Sequence, residues 1–383
     1  MEIAVVTELK QHGPLAGAVV VCSLDQAQHW AGAPASADPG AAPALARRMR
    51  DQGARAVCIV GVVHAEGRTL TWLASEHACG WLAPGAAGPA VDDARRFAND
   101  LAQALAKGFV PADAAVFATM ASGAQGTGFI HDPQRLPFLS WGEAARFAPL
   151  RAAAAHSLGL YAIVDSAARL EQVLAAGVRT VQLRMKVPPA PGPSWHAELR
   201  EQVRRSMAAC ERAGAELYVN DHWRLAGELG ACGAHLGQED LAGLGEDDRG
   251  RLREGRVALG VSSHSLWELC RARSLAPRYI ACGPVWPTLT KAMPWIAQGM
   301  DNLAWWCRMA QVPVVAIGGI LGPQEVRQAA RCGADGVCIV RGLGERPGDT
   351  VPALQAALET GRREHEAAPP DSRCWPHPSL PQQ

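Results

Sequence analysis

The sequence predicts an α/β fold in which a (β/α)8 TIM barrel follows a smaller α/β domain. Three observations carry the barrel. Short apolar runs alternate with amphipathic ones eight times between residues 158 and 340. Several of the amphipathic runs stop at a glycine (Gly177, Gly214, Gly333), the residue that takes the left-handed helix cap without strain. Most of the apolar runs end in a charged or hydroxylated cluster: VQLRMK, LYVND, HLGQED, LGVSSHS and CGPVWPTLTK. Eight such units within about 200 residues match a small barrel, which closes without edge strands. An open doubly wound sheet is the alternative that the same alternation allows.

The expected barrel strands are 158–164, 180–185, 215–220, 233–236, 257–262, 279–283, 314–317 and 337–340. Between them, helical periodicity falls on 168–176, 196–213, 266–275, 302–310 and 323–332. Residues 1–130 form a different unit, with buried strands at 18–22 and 56–62, helices at 42–52 and 92–106, and a small-residue loop over 31–43. Residues 131–155, rich in proline and aromatics, make a packed connector. The barrel occupies 156–362, and the Pro-rich tail 363–383 is expected to be disordered.

Composition narrows the function. Lys plus Arg equals Asp plus Glu, 37 of each, so no global field draws the chain to nucleic acid or to an acidic membrane surface. Any anion preference is therefore local. The eleven cysteines have no C-x-x-C pair and no metal-ligand spacing, as expected of reduced thiols packed as small apolar groups, and none reads as catalytic. No apolar stretch approaches the ~20 residues of a membrane helix. A soluble, cytoplasmic protein is expected.

Parallel strands that alternate with helices send their carboxyl ends to one side, so the clusters meet at one mouth. Gln182, Arg184 and Lys186 alternate along one strand end and leave the same face, where Arg184 can grip phosphate oxygens with its planar fork and Lys186 adds a point charge. A solvated strand end with ordinary surface charges is the plainer alternative. Asp221 follows Asn220 at the next strand end, and Asp240 follows Gln238 and Glu239 at the one after. One carboxylate from each of two neighbouring strands, with diphosphate oxygens and water, suits an octahedral Mg²⁺ shell. Aspartates after strands also cap helices, and for Asp221 that reading stays open. Thr288, Thr290 and Lys291 supply two hydroxyls and a cation within four residues. Gly318 and Gly319 allow close approach of backbone amides, and loops seven and eight of such barrels commonly bind phosphate.

Taken in order, Q-L-R-x-K, V-N-D, H-L-G-Q-E-D, G-V-S-x-H-S, G-P-V-x-P-T-x-T-K and A-I-G-G-I resemble the motifs of thiamine-phosphate synthase over residues 156–360. The resemblance implies a (β/α)8 barrel that joins 4-amino-5-hydroxymethyl-2-methylpyrimidine diphosphate to 4-methyl-5-(2-phosphoethyl)thiazole with Mg²⁺ as cofactor and releases diphosphate. It implies further that Gln182, Leu183, Arg184, Met185, Lys186, Asn220, Ser262 and Lys291 hold the pyrimidine diphosphate. Asp221 and Asp240 would bind the metal, and Thr288, Thr290, Gly318, Val340 and Arg341 the thiazole phosphate. Arg184, Lys186 and Lys291 would be catalytic by neutralising the departing diphosphate. Two positions depart from the family pattern: Arg341 stands where a serine is usual, and Met185 where a glutamate is usual.

Residues 46–73 and 92–121 are similar to the C-terminal part of hydroxymethylpyrimidine phosphate kinase, a ribokinase-like fold. The first half of that fold is missing, and residues 85–92 (GAAGPAVD) replace its glycine-rich anion hole. A degenerate, truncated domain without kinase activity is expected. Two other readings of the barrel compete, a thiazole tautomerase and a catalytically silent sensor of thiamine phosphates. Retention of Arg184, Lys186, Asp221, Asp240 and Lys291 favours the synthase over both. Small molecules are the expected partners, with no nucleic acid and no membrane, and self-assembly is left open.

Overall fold

The computed structural model describes residues 4–9, 14–64, 67–151, 156–288, 294–368 and 375–381. The chain forms two compact units. The first comprises Met1–Pro149, Ser265–Ser274 and His377–Gln383; the second comprises Leu150–His264 and Leu275–Pro376.

In the first unit, β1 (Val5–Val6), β2 (Val19–Ser23) and β3 (Ala56–Val63) pair in parallel. β4 (Thr69–Ser75), β5 (Cys79–Ala83) and β6 (Phe138–Leu139) then add antiparallel, completing a six-stranded sheet in chain order. Period-two alternation turns Val20, Cys22, Val57, Ile59, Trp72 and Trp81 into one core with Trp30, Leu45 and Met49 from α1 (Leu24–Ala31) and α2 (Ala41–Asp51). Trp72 and Trp81 meet edge to face with centroids 4.9 Å apart, and burying such rings stabilises by roughly 1.5–3 kcal/mol each. Ser23 and Gln26 close a capping box at the start of α1.

The periodicity misses β1, α1, the hairpin β4–β5, one further helix and β6. The hairpin β4–β5 is buried on both faces and so shows no polar alternation. Helix α4 (Pro111–Ala121), which follows α3 (Ala94–Ala106), has all eleven residues buried and therefore no polar stripe. The stretch read as a connector supplies β6, whose Leu139 pairs with Leu82.

The second unit is a closed barrel of eight parallel strands: β7 (Gly159–Val164), β8 (Thr180–Leu183), β9 (Glu216–Asn220), β10 (Gly233–Leu236), β11 (Ala258–Ser263), β12 (Tyr279–Cys282), β13 (Val314–Ala316) and β14 (Gly336–Ile339). Each starts or stops within two residues of its expected bounds. The intervening helices are α5 (Ala167–Ala175), α6 (Pro193–Ala213), α7 (Trp223–Leu229), α8 (Gln238–Ala242), α9 (Glu246–Glu254), α10 (Leu266–Arg273), α11 (Gly299–Met309) and α12 (Pro323–Arg331), and α13 (Pro347–Ala367) follows the last strand.

All three tyrosines of the chain fill the barrel interior: Tyr161, Tyr218 and Tyr279 are each at most 1% exposed. Glycine makes the room for them. A Cβ on Gly233 would sit 2.5 Å from the Tyr218 ring, and one on Gly260 2.2 Å from that of Tyr279.

The tail departs from expectation. Instead of disorder from residue 363, α13 continues to Ala367, and Ser379 and Leu380 are buried within the first unit. Helix α10, which lies between β11 and β12 in the chain, also clusters with the first unit. There the Asp113 carboxylate accepts the Trp267 amide at 2.9 Å, and the Arg273 guanidinium donates to the carbonyls of Leu136 and Pro137 at 2.7 and 2.9 Å. Among the described residues no helix is long and apolar enough to cross a membrane.

Candidate functional site

Closure of eight parallel strands places every strand's carboxyl end on one rim, so the sequence clusters face a shared mouth. At the end of β8, Gln182 and Leu183 are buried, while Arg184 and Lys186 are exposed and Met185 is half-buried. Register with β7 is carried one residue past the strand by the Arg184 amide, which donates to the Val164 carbonyl at 2.7 Å.

Asn220 closes β9, and Asp221 turns the chain with φ +62°, a left-handed conformation that aspartate tolerates better than most residues. Its amide donates to the His235 carbonyl at 2.9 Å, locking the turn to the neighbouring strand. Crowding by the protein raises the Asp221 carboxyl above the usual carboxylate range, and the adjacent Asp240 carboxylate raises it further. Arg184 and a hydrogen bond from Asn220 oppose that rise. Arg184, Asn220 and Asp240, drawn from three strand ends, thus all act on the Asp221 carboxyl.

Asp240 has a second task. Its Oδ2 accepts the Gly237 amide at 2.8 Å at the start of α8. The helix-capping alternative that the sequence left open at Asp221 therefore belongs in part to Asp240. Among the described residues no three His, Cys, Asp or Glu side chains converge as a ready-made metal cage. Two opposed carboxylates do fit a divalent cation that takes its remaining ligands from phosphate and water, because the cation would relieve their mutual repulsion.

Ser262, half-buried near the end of β11, is held from two sides. Its Oγ lies 2.9 Å from His235 Nε2, and its carbonyl accepts from Gln238 Nε2 at 2.7 Å. Burial, reinforced by the neighbouring Arg184 guanidinium, pushes the His235 pKa down to about 4, so the ring is neutral. His264 stacks on Trp295 with centroids 5.1 Å apart, and its carbonyl accepts from Gln298 Nε2.

Thr288 is half-buried in the loop after β12; Thr290 and Lys291 lie outside the described residues. Gly318 (φ +94°) and Gly319 (φ +73°) follow β13. The close approach they allow is made by the chain itself: a Cβ on Gly318 would sit 2.7 Å from Pro284 Cα, and one on Gly319 2.5 Å from Trp286 Cβ. The two glycines thus lay the loop bearing Thr288 against the seventh strand end. Past β14, Val340 and Arg341 are both exposed, and Arg341 opens a single 3-10 turn.

Sequence reasoning missed the polar layer beneath these groups. Gln182 Nε2 donates to Tyr161 Oη at 3.1 Å, Tyr161 Oη lies 2.7 Å from Tyr279 Oη, and Tyr279 Oη lies 2.8 Å from His235 Nδ1. Its only signal was the placement of two of the three tyrosines, and one histidine, inside apolar strands.

Sequence comparison points to one family. Residues 160–343 match the family model described as thiamine monophosphate synthase. A thiamine-phosphate synthase of Rhizobium etli is 43% identical over 188 residues, covering 49% of this chain and 87% of that protein. One of Neisseria meningitidis is 40% identical over 214 residues, covering 55% and 97%. Among solved structures, the thiamine phosphate pyrophosphorylase of Pyrococcus furiosus aligns with a TM-score of 0.46 at 24% identity, over 53% of this chain and 96% of that one.

Proposed function

Because the chain belongs to the thiamine-phosphate synthase family, we propose that its barrel joins 4-amino-5-hydroxymethyl-2-methylpyrimidine diphosphate to 4-methyl-5-(2-phosphoethyl)thiazole by a dissociative substitution. The enzyme is a transferase of thiamine biosynthesis. Its reaction breaks the bond between the exocyclic methylene carbon and the diphosphate oxygen. The pyrimidine amino group pushes electrons toward that methylene as the bond breaks. The thiazole nitrogen then supplies the electron pair for the new C–N bond, and diphosphate leaves with the pair it took.

This chemistry asks little acid or base catalysis of the protein. It asks for neutralisation of the departing diphosphate and alignment of two bound substrates. Arg184, Lys186 and Lys291 answer the first need. Gln182, Leu183, Met185, Asn220 and Ser262 hold the pyrimidine diphosphate, while Thr288, Thr290, Gly318, Val340 and Arg341 take the thiazole phosphate. Asp221 and Asp240 would hold Mg²⁺, which when bound supplies positive charge to the diphosphate oxygens. The observation that carries the reading is the electrostatic meeting of Arg184, Asp221 and Asp240 at one mouth. Purified protein given both substrates and Mg²⁺ should release thiamine phosphate and diphosphate in equal amounts; binding without product would favour a silent sensor instead.

The first unit carries no kinase activity in this reading and serves a structural or docking role. Residues 85–92 spend their close approaches on the chain itself: a Cβ on Gly85 would meet the Gln134 carbonyl at 2.2 Å, and Pro89 lies where a Cβ on Gly123 would be. A cavity of about 360 Å³ beside this stretch is lined by Asp92, Asp93 and Asp100 against a single cation, Arg96, which donates to the Ala124 carbonyl. That charge pattern repels a nucleoside triphosphate. ATP-dependent phosphorylation of hydroxymethylpyrimidine by the purified protein would refute this part. A cytoplasmic setting belongs to the same proposal, supported by the free thiols of the described cysteines.

A further inference from the structure

We infer that His235 is a positioning residue which, at the end of a one-way chain of buried hydrogen bonds, forces the Ser262 hydroxyl to donate its proton to the pyrimidine diphosphate. The inference rests on the reading of Ser262 as a substrate-binding residue given above. It concerns groups to which that reading assigns no part: Tyr161, Tyr279 and His235.

The chain has five members, Gln182, Tyr161, Tyr279, His235 and Ser262, joined by contacts of 3.1, 2.7, 2.8 and 2.9 Å. Tyr161, Tyr279 and His235 are at most 7% exposed, so water does not offer substitute partners. A phenol has one proton, and a neutral imidazole has one N–H and one lone pair. Reversing any one bond would leave a buried O–H or N–H without an acceptor, so fixing the direction of one fixes them all.

Gln182 fixes it at one end by presenting its amide nitrogen to Tyr161. Having accepted there, Tyr161 donates to Tyr279, and Tyr279 donates to Nδ1 of His235. The ring proton is left on Nε2, which donates to Ser262 Oγ. Because a protonated Nε2 donates and cannot accept, the Ser262 hydroxyl keeps its own proton for an acceptor atom of the ligand. In the opposite tautomer, His235 Nε2 would consume that proton and leave the serine as an acceptor only. An acceptor facing an anionic substrate weakens binding, so the direction of the chain matters to the site.

Two measurements test this. Long-range ¹H–¹⁵N spectra of the histidine-labelled full chain, with the His235 signals assigned by their loss in His235→Gln, should show Nε2 protonated and Nδ1 bare. The reverse tautomer overturns the proposal through the hydrogen-bond chain. In steady-state kinetics, Ser262→Ala should raise KM for the pyrimidine diphosphate about tenfold and leave KM for the thiazole phosphate unchanged. His235→Asn, whose amide reaches Tyr279 but not Ser262, should show the same split. The double variant should be no worse than either single one, and His235→Gln, whose amide nitrogen takes the place of Nε2, should recover most of the loss. Additive losses, or equal effects on both substrates, overturn the proposal by reducing His235 to a structural part. An unchanged KM in Ser262→Ala combined with an Nε2 proton overturns it differently, by removing Ser262 from the substrate while the hydrogen-bond chain stands.

Discussion

The carboxyl groups of Asp221 and Asp240, 19 positions apart in sequence, lie close enough at the barrel mouth that ionising one raises the cost of ionising the other. Their neighbour Arg184 relieves part of that cost. Such an arrangement is unfavourable for a site that stays empty, and it becomes favourable when a cation enters between the two carboxylates.

Asp221→Asn is the cleanest probe of this pair, because asparagine accepts the left-handed backbone at φ +62° and removes only the charge. Thiamine phosphate formation should fall by about a hundredfold or more, with an unchanged circular dichroism spectrum. The Mg²⁺ concentration at half-maximal rate should rise. Chelation should silence the wild-type enzyme, and added Mg²⁺ should restore it. Near-normal turnover of the variant at low Mg²⁺ would remove Asp221 from the metal.

Arg184 and Lys291 act on the substrate's charge, and their variants should separate geometry from charge. Arg184→Lys keeps the cation and loses the planar fork, so KM for the pyrimidine diphosphate should rise about tenfold. Arg184→Ala should lose considerably more, and Lys291→Ala should abolish product formation while the fold persists. Substrate-concentration series on the purified variants decide the matter, and equal activity of Arg184→Lys and wild type would rule out a bidentate grip.

Much of the second unit was legible because barrel strands buried on both faces read as short apolar runs, and glycine ends several of the helices between them. The same rule hid the polar layer. Tyr161, Tyr279 and His235 each sit at an inward position of an apolar strand, where the pattern predicts plain core, and only coordinates join their polar atoms. In the first unit, α4 escaped notice because a helix buried all round has no polar face to set a period. The proline-rich tail misled for the opposite reason: its composition reads as disorder, yet Ser379 and Leu380 find buried places.

Gly318→Ala should damage the enzyme without touching a charged group. Alanine at φ +94° is strained wherever it stands, and here its Cβ would sit 2.7 Å from Pro284 Cα, which is backbone and cannot swing aside. A loss of roughly 1–3 kcal/mol in unfolding free energy is expected from the strained dihedral alone. Because the displaced loop carries Thr288, the kinetic defect should fall mainly on the thiazole phosphate. A variant with wild-type stability would show that the close approach is not needed.

Asp113 makes the stability of the first unit depend on pH. Burial pushes its carboxyl up to about 7 from 3.8, the Glu268 charge adds to the rise, and the amides of Trp267 and Leu266 that it accepts hold it back. A carboxyl whose folded value exceeds its unfolded one binds its proton more tightly in the folded state. The stability it contributes is full below about 4 and is lost as the pH rises through about 7. Thermal unfolding of the wild type should therefore be harder at pH 5 than at pH 8, by about 3 kcal/mol from this group. Asp113→Asn keeps an oxygen for the two amides and has no proton to lose, so it should flatten the profile and be the more stable protein at pH 8. Should the variant instead lose stability equally at both values, the ionised carboxylate would be the form the fold prefers, and the backbone hydrogen bonds would outweigh the cost of burying the charge.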